Sequence, residues 1–263
     1  MNAKSSRKTA LVTGASGGIG QVIAEQFAKD RIDLVIVARN AQQLEANAAQ
    51  WRQQYGVRVT PIASDLSEAG AAKKLADEVI GQGIKVNYLV NNAGYGSYGI
   101  FAESNLNYEV AMMRLNMEAL TVLTKLFLPD IIRRRGKILN LASTASFQPG
   151  PFMAVYYATK AYVLSFSEAI AAELENTGVT VTALCPGPTA SGFQDKAALH
   201  ESALVKGKRL PSAQEVGVAG YRAMQRGRRV YIPGVMNWLL AQSVRFTPRR
   251  LVTAVVKQMS KPI

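Results

Sequence analysis

The chain has 263 residues, 48% of them hydrophobic, and a net charge of +13. A chain of this length can bury a large core in one domain, and its apolar runs are shorter than the ~18 residues that a membrane span needs. Its one cysteine, Cys185, excludes an intramolecular disulfide. The polar segment 1–8 differs from a secretory leader, so we expect a cytoplasmic protein with a single domain over 1–263.

Apolar segments that suit strands alternate with segments that suit helices along most of the chain. The predicted strands are 8–13, 33–38, 57–63, 86–90, 137–141 and 179–184, and the predicted helices are 18–30, 41–55, 68–81, 108–134 and 155–176. Strands this apolar are buried on both faces. Their alternation with helices therefore predicts an α/β fold of Rossmann type, with a doubly wound, mostly parallel sheet covered by helices on both faces.

The pattern loosens after Pro186. Segment 187–210 has mixed polarity and suits a lid over the substrate. A helix over 212–226 opens with the capping box Ser212-x-x-Glu215, and 230–233 forms a last short strand.

The turn after the first strand contains Gly14, Gly18 and Gly20 and leads directly into a helix. Glycines allow a tight turn, and a helix N-terminus presents free N–H groups to a pyrophosphate. At the end of the second strand an NAD enzyme places an acid, whereas this chain has Arg39 and no acid nearby. A guanidinium binds a 2′-phosphate through two hydrogen bonds, so the sequence predicts NADP(H) rather than NAD(H).

Tyr156 and Lys160 are four residues apart, which puts both side chains on one face of a helix. A cation beside a phenol favours the phenolate, so we expect the pKa of Tyr156 to be lowered towards working pH. Such a phenol is a general acid or base. The neighbouring Tyr157 has Ala161 at the matching position, and we interpret it as packing or pocket wall.

Seven motifs, in the expected order, resemble those of the short-chain dehydrogenase/reductase family. They are Thr13-Gly14-x-x-x-Gly18-x-Gly20, Asp65-Leu66, Asn91-Asn92-Ala93-Gly94, Asn116, Ser143, Tyr156-x-x-x-Lys160 and Pro186-Gly187. The resemblance covers the chain to about Thr189, and the C-terminal region carries no recognised motif of the family.

The resemblance implies four catalytic residues. Tyr156 would protonate the substrate oxygen as hydride arrives, and Lys160 would bind the nicotinamide ribose and lower the pKa of Tyr156. Ser143 would hydrogen-bond the substrate carbonyl. Asn116 would hold a water that connects Lys160 to solvent, an unusual role for an asparagine inside a predicted helix.

The resemblance also implies the residues that hold the cofactor. Asp65 would bind the adenine amino group, with Leu66 beside it, and 91–94 would lie along the adenosine ribose. The backbone at Pro186 and Gly187 would run alongside the nicotinamide, and Thr189 would hold its carboxamide or a phosphate. The full predicted set is Gly14, Ser16, Gly18, Ile19, Gly20, Arg39, Asp65, Leu66, Asn91, Ala93, Gly94, Tyr156, Lys160, Pro186, Gly187 and Thr189.

The predicted substrate walls are aromatic: Tyr95, Phe147, Phe152 and Phe193. They favour a hydrophobic carbonyl compound, and we predict no metal site. The leading prediction is NADPH-dependent reduction of an aldehyde or ketone to an alcohol, or the reverse reaction. The alternatives are reduction of a 3-oxoacyl group or another lipid-linked ketone, and a non-catalytic NADP-binding protein.

Positive charge is concentrated near the C-terminus. Residues 206–263 contain 12 Lys and Arg and one acid, whereas residues 1–205 contain 19 basic and 17 acidic residues. No reader module for nucleic acid is recognisable, so we expect no such partner. The amphipathic region 235–260 keeps three interpretations: a solvated face, an interface of a homo-oligomer (dimer or tetramer), or a peripheral membrane contact.

One stripe of this region is predicted from Leu251, Val252, Val255, Val256 and Met259, on a helix that begins near Pro248.

Overall fold

The structure is a computed structural model that describes residues 7–192 and 210–261. Seven strands in these residues form one sheet in the order β3-β2-β1-β4-β5-β6-β7, and every pair is parallel. The strands are β1 (Thr9–Thr13), β2 (Asp33–Ala38), β3 (Val59–Ala63), β4 (Tyr88–Asn91), β5 (Lys137–Leu141), β6 (Thr180–Leu184) and β7 (Val230–Tyr231). The predicted Rossmann-type sheet is confirmed.

Helices connect the strands and continue beyond the sheet. They are α1 (Gly18–Lys29), α2 (Ala41–Tyr55), α3 (Ala71–Gly81), α4 (Leu106–Met113), α5 (Leu120–Arg133), α6 (Ala154–Glu173), α7 (Ala213–Gln225), α8 (Val235–Ser243) and α9 (Arg249–Ser260). The predicted start of α3 at Glu68 is three residues early. Gly70 has a φ of 76°, outside the helical region, and the backbone turns at 65–71 before the helix begins.

Both faces of the sheet are buried because its strands alternate between two cores. In β1, Ala10 and Val12 pack on one side with Phe27 and Trp51 of α1 and α2. Leu11 packs on the other side with α3 and α5. This alternation follows from the period-2 direction of side chains along a strand. Because every strand pair is parallel, the carboxyl ends of the strands lie at one edge of the sheet, where the glycine turn follows β1.

The predicted long helix over 108–134 is wrong in one respect. A π-helical turn, Arg114–Ala119, separates α4 from α5. Asn116 in this turn donates to the Tyr95 carbonyl and the Thr159 hydroxyl, both at 3.0 Å, and accepts from the Tyr95 N–H at 3.2 Å. These bonds to neighbouring segments stabilise the wider turn, a local structure common at functional sites.

The apolar stripe predicted on the last helix is only partly buried. In α9, Val252 and Val256 are buried in a cluster with Tyr95, Met112 and Tyr156. The other predicted members of the stripe, on α9 as well, are exposed. The capping box that opens α7 is present as predicted. Within 7–192 and 210–261, no helix combines the length and apolarity that crossing a bilayer requires.

Candidate active site

The glycine turn between β1 and α1 forms a cradle of backbone. Gly14 and Gly18 have φ angles of 68° and 59°, a region that favours glycine. The N–H groups of Gly14 and Ala15 donate to the Val37 carbonyl at 2.7 and 3.2 Å, which ties the turn to β2. Ser16, Gly14 and Gly18 line a cavity of about 480 Å³ in front of the α1 N-terminus. The free N–H groups at the N-terminus of α1 suit an anionic ligand.

Asn92, just after β4, braces this turn. Its amide donates to the carbonyls of Thr13 and Gly14 at 2.9 and 3.2 Å, and a Cβ on Gly14 would lie 2.5 Å from the Asn92 Nδ2 atom. A Cβ on Gly20 would overlap the same amide and the Gly14 carbonyl. Gly20 therefore permits close packing of α1 on the turn, and it is not among the described residues that line the cavity.

The structure places Asn91 elsewhere than predicted. Its amide donates to the Asn140 side chain at 2.9 Å and to the Thr124 hydroxyl at 3.0 Å, both buried. Asn91 is the last residue of β4, and successive side chains of a strand point to opposite faces. Asn92 therefore reaches the cradle, whereas Asn91 joins β4 to β5 and α5.

Arg39 and Asp65 meet at the outer end of the same cavity. Arg39 and Leu66 line it, and the Arg39 guanidinium lies 3.6 Å from the Asp65 carboxylate. Partial burial opposes ionisation of Asp65, but hydrogen bonds from Ser67 and the charge of Arg39 lower its pKa. Asp65 itself is not among the described lining residues. With 59% of its side chain exposed, Arg39 is accessible to a ligand in the cavity.

Ser143, Tyr156 and Lys160 line a second cavity, of about 470 Å³. Ser143 follows β5, and the other two lie on the first turns of α6. The hydroxyls of Ser143 and Tyr156 form a hydrogen bond. The Lys160 Nζ donates to the Leu141 carbonyl at 2.7 Å and lies 5.8 Å from the centre of the Tyr156 ring. The structure thus brings three of the four predicted catalytic residues to one surface.

The expected lowering of the Tyr156 pKa is contradicted. Burial raises the pKa of the phenol, and the hydrogen bond with Ser143 offsets this only in part. Burial also lowers the pKa of Lys160 from 10.5 to about 8, because removal from water disfavours its charge. Tyr156 therefore holds its proton at neutral pH, which suits a group that donates a proton to a substrate.

Asn116 lies behind this surface, next to Gly94. The position of a Cβ on Gly94 would be 3.0 Å from the Asn116 Oδ1 atom and 3.5 Å from the Lys160 Nζ atom, so glycine permits both to approach the backbone. Thr159, which accepts from Asn116, donates to the Tyr156 carbonyl at 2.7 Å. Asn116 is thereby linked to the helix that carries Tyr156. Its predicted role in holding a water stays a prediction.

The two cavities form one continuous cleft, because five residues line both of them: Ile19, Asn92, Gly94, Leu141 and Ser191. Pro186, Gly187 and Thr189 line the catalytic cavity, and Ala93 lines the cradle cavity. A ligand that reaches from the glycine turn to Tyr156 thus has a path along the carboxyl edge of the sheet, where ligands of open α/β sheets bind.

The predicted aromatic walls are corrected by the structure. Tyr95 lines the cradle cavity rather than the catalytic one. Phe147 packs into a core cluster, and the Phe152 ring lies 6.3 Å from that of Tyr98. Neither phenylalanine is among the described residues lining a cavity. Phe193 and most of the predicted lid 187–210 lie outside the described residues.

The observed walls come from segments far apart in the chain. They are largely apolar, and include Met153, Tyr157, Leu210, Pro211, Met236, Leu240, Ala241 and Met259. The polar side chains of Gln148 and Asn237 join them. For the walls within 235–260, the one signal in the sequence is the amphipathic pattern, which predicts an apolar face but not what that face contacts. Tyr157 is both buried and a wall, as interpreted from its position.

The sequence model of the short chain dehydrogenase family matches residues 8–202. The chain belongs to the short-chain dehydrogenase family. It is similar to the 11-beta-hydroxysteroid dehydrogenase of Pinus massoniana, with 35% identity over 211 residues, 80% of this chain and 59% of that relative. The chain therefore spans about three-fifths of that relative's length.

Solved structures of this family share the fold along most of their length. The short-chain dehydrogenase from Sphingobium yanoikuyae in complex with NADPH has a TM-score of 0.81 at 30% identity, with 91% of this chain and 94% of that chain covered. The bulky-bulky ketone specific alcohol dehydrogenase from Comamonas testosteroni has a TM-score of 0.77 at 28% identity, with 91% and 92% covered.

Proposed function

We propose that the protein is an NADP(H)-dependent oxidoreductase that interconverts a hydrophobic aldehyde or ketone and its alcohol. One observation carries the proposal: Ser143, Tyr156 and Lys160 line an apolar cavity that continues into the glycine cradle. A proton donor and an anion-binding turn at two ends of one cleft match the needs of hydride transfer to a carbonyl.

The residues of the cradle fit a dinucleotide with a 2′-phosphate. Gly14, where a Cβ would collide with Asn92, keeps the turn tight at the edge of the cavity, and the exposed guanidinium of Arg39 lines the cavity just after the second strand. The NADPH complex of the Sphingobium relative supports the same cofactor. Ser16, Gly18 and Ile19 would hold its pyrophosphate, and Lys160 its nicotinamide ribose. When bound, NADPH supplies the hydride.

The side chains of this protein would handle the proton and the oxygen. The Ser143 hydroxyl would donate a hydrogen bond to the substrate carbonyl and orient it. Tyr156 would transfer its proton from Oη to that oxygen as negative charge develops there, since its raised pKa keeps the proton in place until then. Lys160 would stabilise the phenolate left behind, and Asn116 would hold α6 in position through Thr159.

The apolar walls support a bulky, hydrophobic substrate, as does the similarity to a hydroxysteroid dehydrogenase and to a bulky-bulky ketone specific alcohol dehydrogenase. A second candidate is a 3-oxoacyl or other lipid-linked ketone. The observation that favours it is the basic C-terminal region beside the cavity, which suits an anionic carrier of the acyl group. Comparison of steroid ketones with 3-oxoacyl thioesters in the same assay separates the two.

The test uses Tyr156→Phe with Tyr157→Phe as the matched control. NADPH oxidation is followed with a panel of aldehydes and ketones, and NADPH binding by fluorescence titration. Loss of the proton donor should lower kcat by roughly 10³-fold and leave NADPH affinity nearly unchanged. Tyr157→Phe should keep most of its activity, because Tyr157 is a wall of the cavity rather than the proton donor and the substitution retains its ring.

Retained turnover in Tyr156→Phe would overturn the mechanism. NADPH binding without turnover of any compound in the panel would favour the non-catalytic alternative. A homo-oligomer stays a prediction from the sequence.

A further inference from the structure

Exposed apolar side chains are concentrated in the C-terminal helices. Of the seventeen large hydrophobic side chains exposed by the described residues, nine lie within 235–259. On α8, Val235, Trp238 and Leu239 are 77%, 49% and 48% exposed, and Phe246 in the following turn is 88% exposed. An exposed apolar patch of this kind marks a site of contact with another body.

The apolar face of α9 has two adjacent rows of side chains, and only one row is used in packing. Val252 and Val256 face the protein and are buried. Leu251, Val255 and Met259 follow one another at intervals of four residues along a second side and are 55%, 49% and 44% exposed. Among the residues described, this second row is not covered.

The segment that carries the apolar patch is also positively charged. Residues 235–261 contain five basic residues, Arg245, Arg249, Arg250, Lys257 and Lys261, and no acid. All five are exposed. The sequence has no acid anywhere in 216–263, so this charge has no acidic neighbour along the chain.

We propose that α8, the turn Val244–Phe246 and α9 form a docking surface for an anionic lipid bilayer. Helices with exposed Trp, Phe and Leu beside Arg and Lys lie in the plane of a membrane interface, where the apolar side chains enter the headgroup region. Each nearby Lys or Arg adds about 1 kcal/mol of attraction to anionic lipid. None of the described helices is suited to crossing the bilayer, so the contact is peripheral.

Charge favours lipid over a second copy of the chain. If two copies met through this surface, each would bring a segment with five positive charges, and 235–261 itself supplies no acid to offset them. Juxtaposed like charges disfavour such an interface, whereas anionic headgroups complement them.

Docking would also orient the catalytic cavity. Met236, Leu240 and Met259 are exposed on the docking surface and line the cavity at the same time. Its mouth would then face the bilayer, so that a lipophilic substrate could pass from lipid to Tyr156. This consequence rests on the proposed function, but the docking does not.

The test is co-sedimentation of the full chain with phosphatidylcholine vesicles that either contain or lack phosphatidylserine. We expect binding to the anionic vesicles, weakened by salt. Trp238 provides a second readout, because Trp51, the other tryptophan, is only 1% exposed. Entry of the indole into the interface should shift its emission to shorter wavelength.

Two pairs of variants separate charge from apolar contact. Arg249→Gln with Arg250→Gln should weaken the partition to anionic vesicles roughly 30-fold. The exposed pair Lys74→Gln with Lys125→Gln removes the same charge elsewhere and should have little effect.

Phe246→Ser with Leu251→Ser should weaken the partition at least about tenfold. The matched control is Phe101→Ser with Leu106→Ser, which removes side chains that are 64% and 74% exposed at another place on the surface.

Failure of the full chain to sediment with anionic vesicles would overturn the proposal. So would equal loss of binding in a pair and its control. Concentration-dependent dimerisation that Phe246→Ser with Leu251→Ser abolishes would assign the surface to a second copy instead. NADPH oxidation by each variant, measured without vesicles, distinguishes loss of docking from failure of the proposed reaction.

Discussion

The two halves of the cleft are built in different ways. The half around Gly14 centres on the glycine turn, whose backbone has φ angles and close contacts that few residues other than glycine permit. The half around Met153 has walls made of side chains from the start of α6, from α8 and from α9. The cradle half suits a ligand of constant structure, such as a cofactor. The side chains of the other half can be exchanged to fit a different substrate without altering the cradle.

The largest effect that would test this contrast is a change at Arg39, in the cradle half. Arg39→Gln removes the cation that we expect to bind the 2′-phosphate and should lower kcat/KM for NADPH by roughly 10- to 100-fold. Steady-state kinetics with NADH is the internal control, because NADH lacks that phosphate and its kcat/KM should change little. An equal fall with both cofactors would contradict the assignment of NADP(H).

A smaller effect is expected in the substrate half. Met153 is 3% exposed and lines the cavity, so Met153→Trp should fill part of it. We expect KM for a bulky ketone to rise about tenfold, with little change for a small one. Phe152→Leu is the control, since Phe152 stands outside the described lining. The measurement is the ratio of KM for a bulky ketone to KM for a small ketone in each variant. If that ratio changed only in Phe152→Leu, Phe152 would be a wall of the substrate site, as the sequence predicted.

The smallest effect concerns stability at Lys160, between the two halves. The pKa of Lys160 is lowered from 10.5 to about 8 by burial. Below pH 8 the folded and unfolded states both carry the charge, and the folded state bears the full cost of burying it. Between pH 8 and 10.5 the folded state binds fewer protons, so its free energy of unfolding rises with pH.

Relative to Lys160→Met, the wild type should therefore gain on the order of 1–3 kcal/mol between pH 8 and 10.5. Urea unfolding at both pH values measures this difference, and Lys74→Met controls for the loss of an exposed lysine. A difference that does not depend on pH would mean that the Lys160 ammonium keeps its usual pKa in the folded protein.

Local patterns account for the parts of the site that were predicted well. Tyr156 and Lys160 share a helix face because a helix turn has a fixed length. Ser143 follows β5, whose central residues are buried. The predicted role of Asn91 failed because the motif does not say which of two adjacent asparagines faces the cradle. That choice depends on where β4 ends and on what packs beneath it.

The sequence by itself determined the alternating α/β order, the glycine turn, the Arg39 position and the pairing of Tyr156 with Lys160. Each of these follows from spacing within a few residues, where helix and strand geometry leave little choice. Only the tertiary structure decided the pKa of Tyr156, the walls at Met153 and Met259, and the exposure of one row of α9. Those features depend on burial and on contacts between distant segments, which periodicity along the chain does not encode.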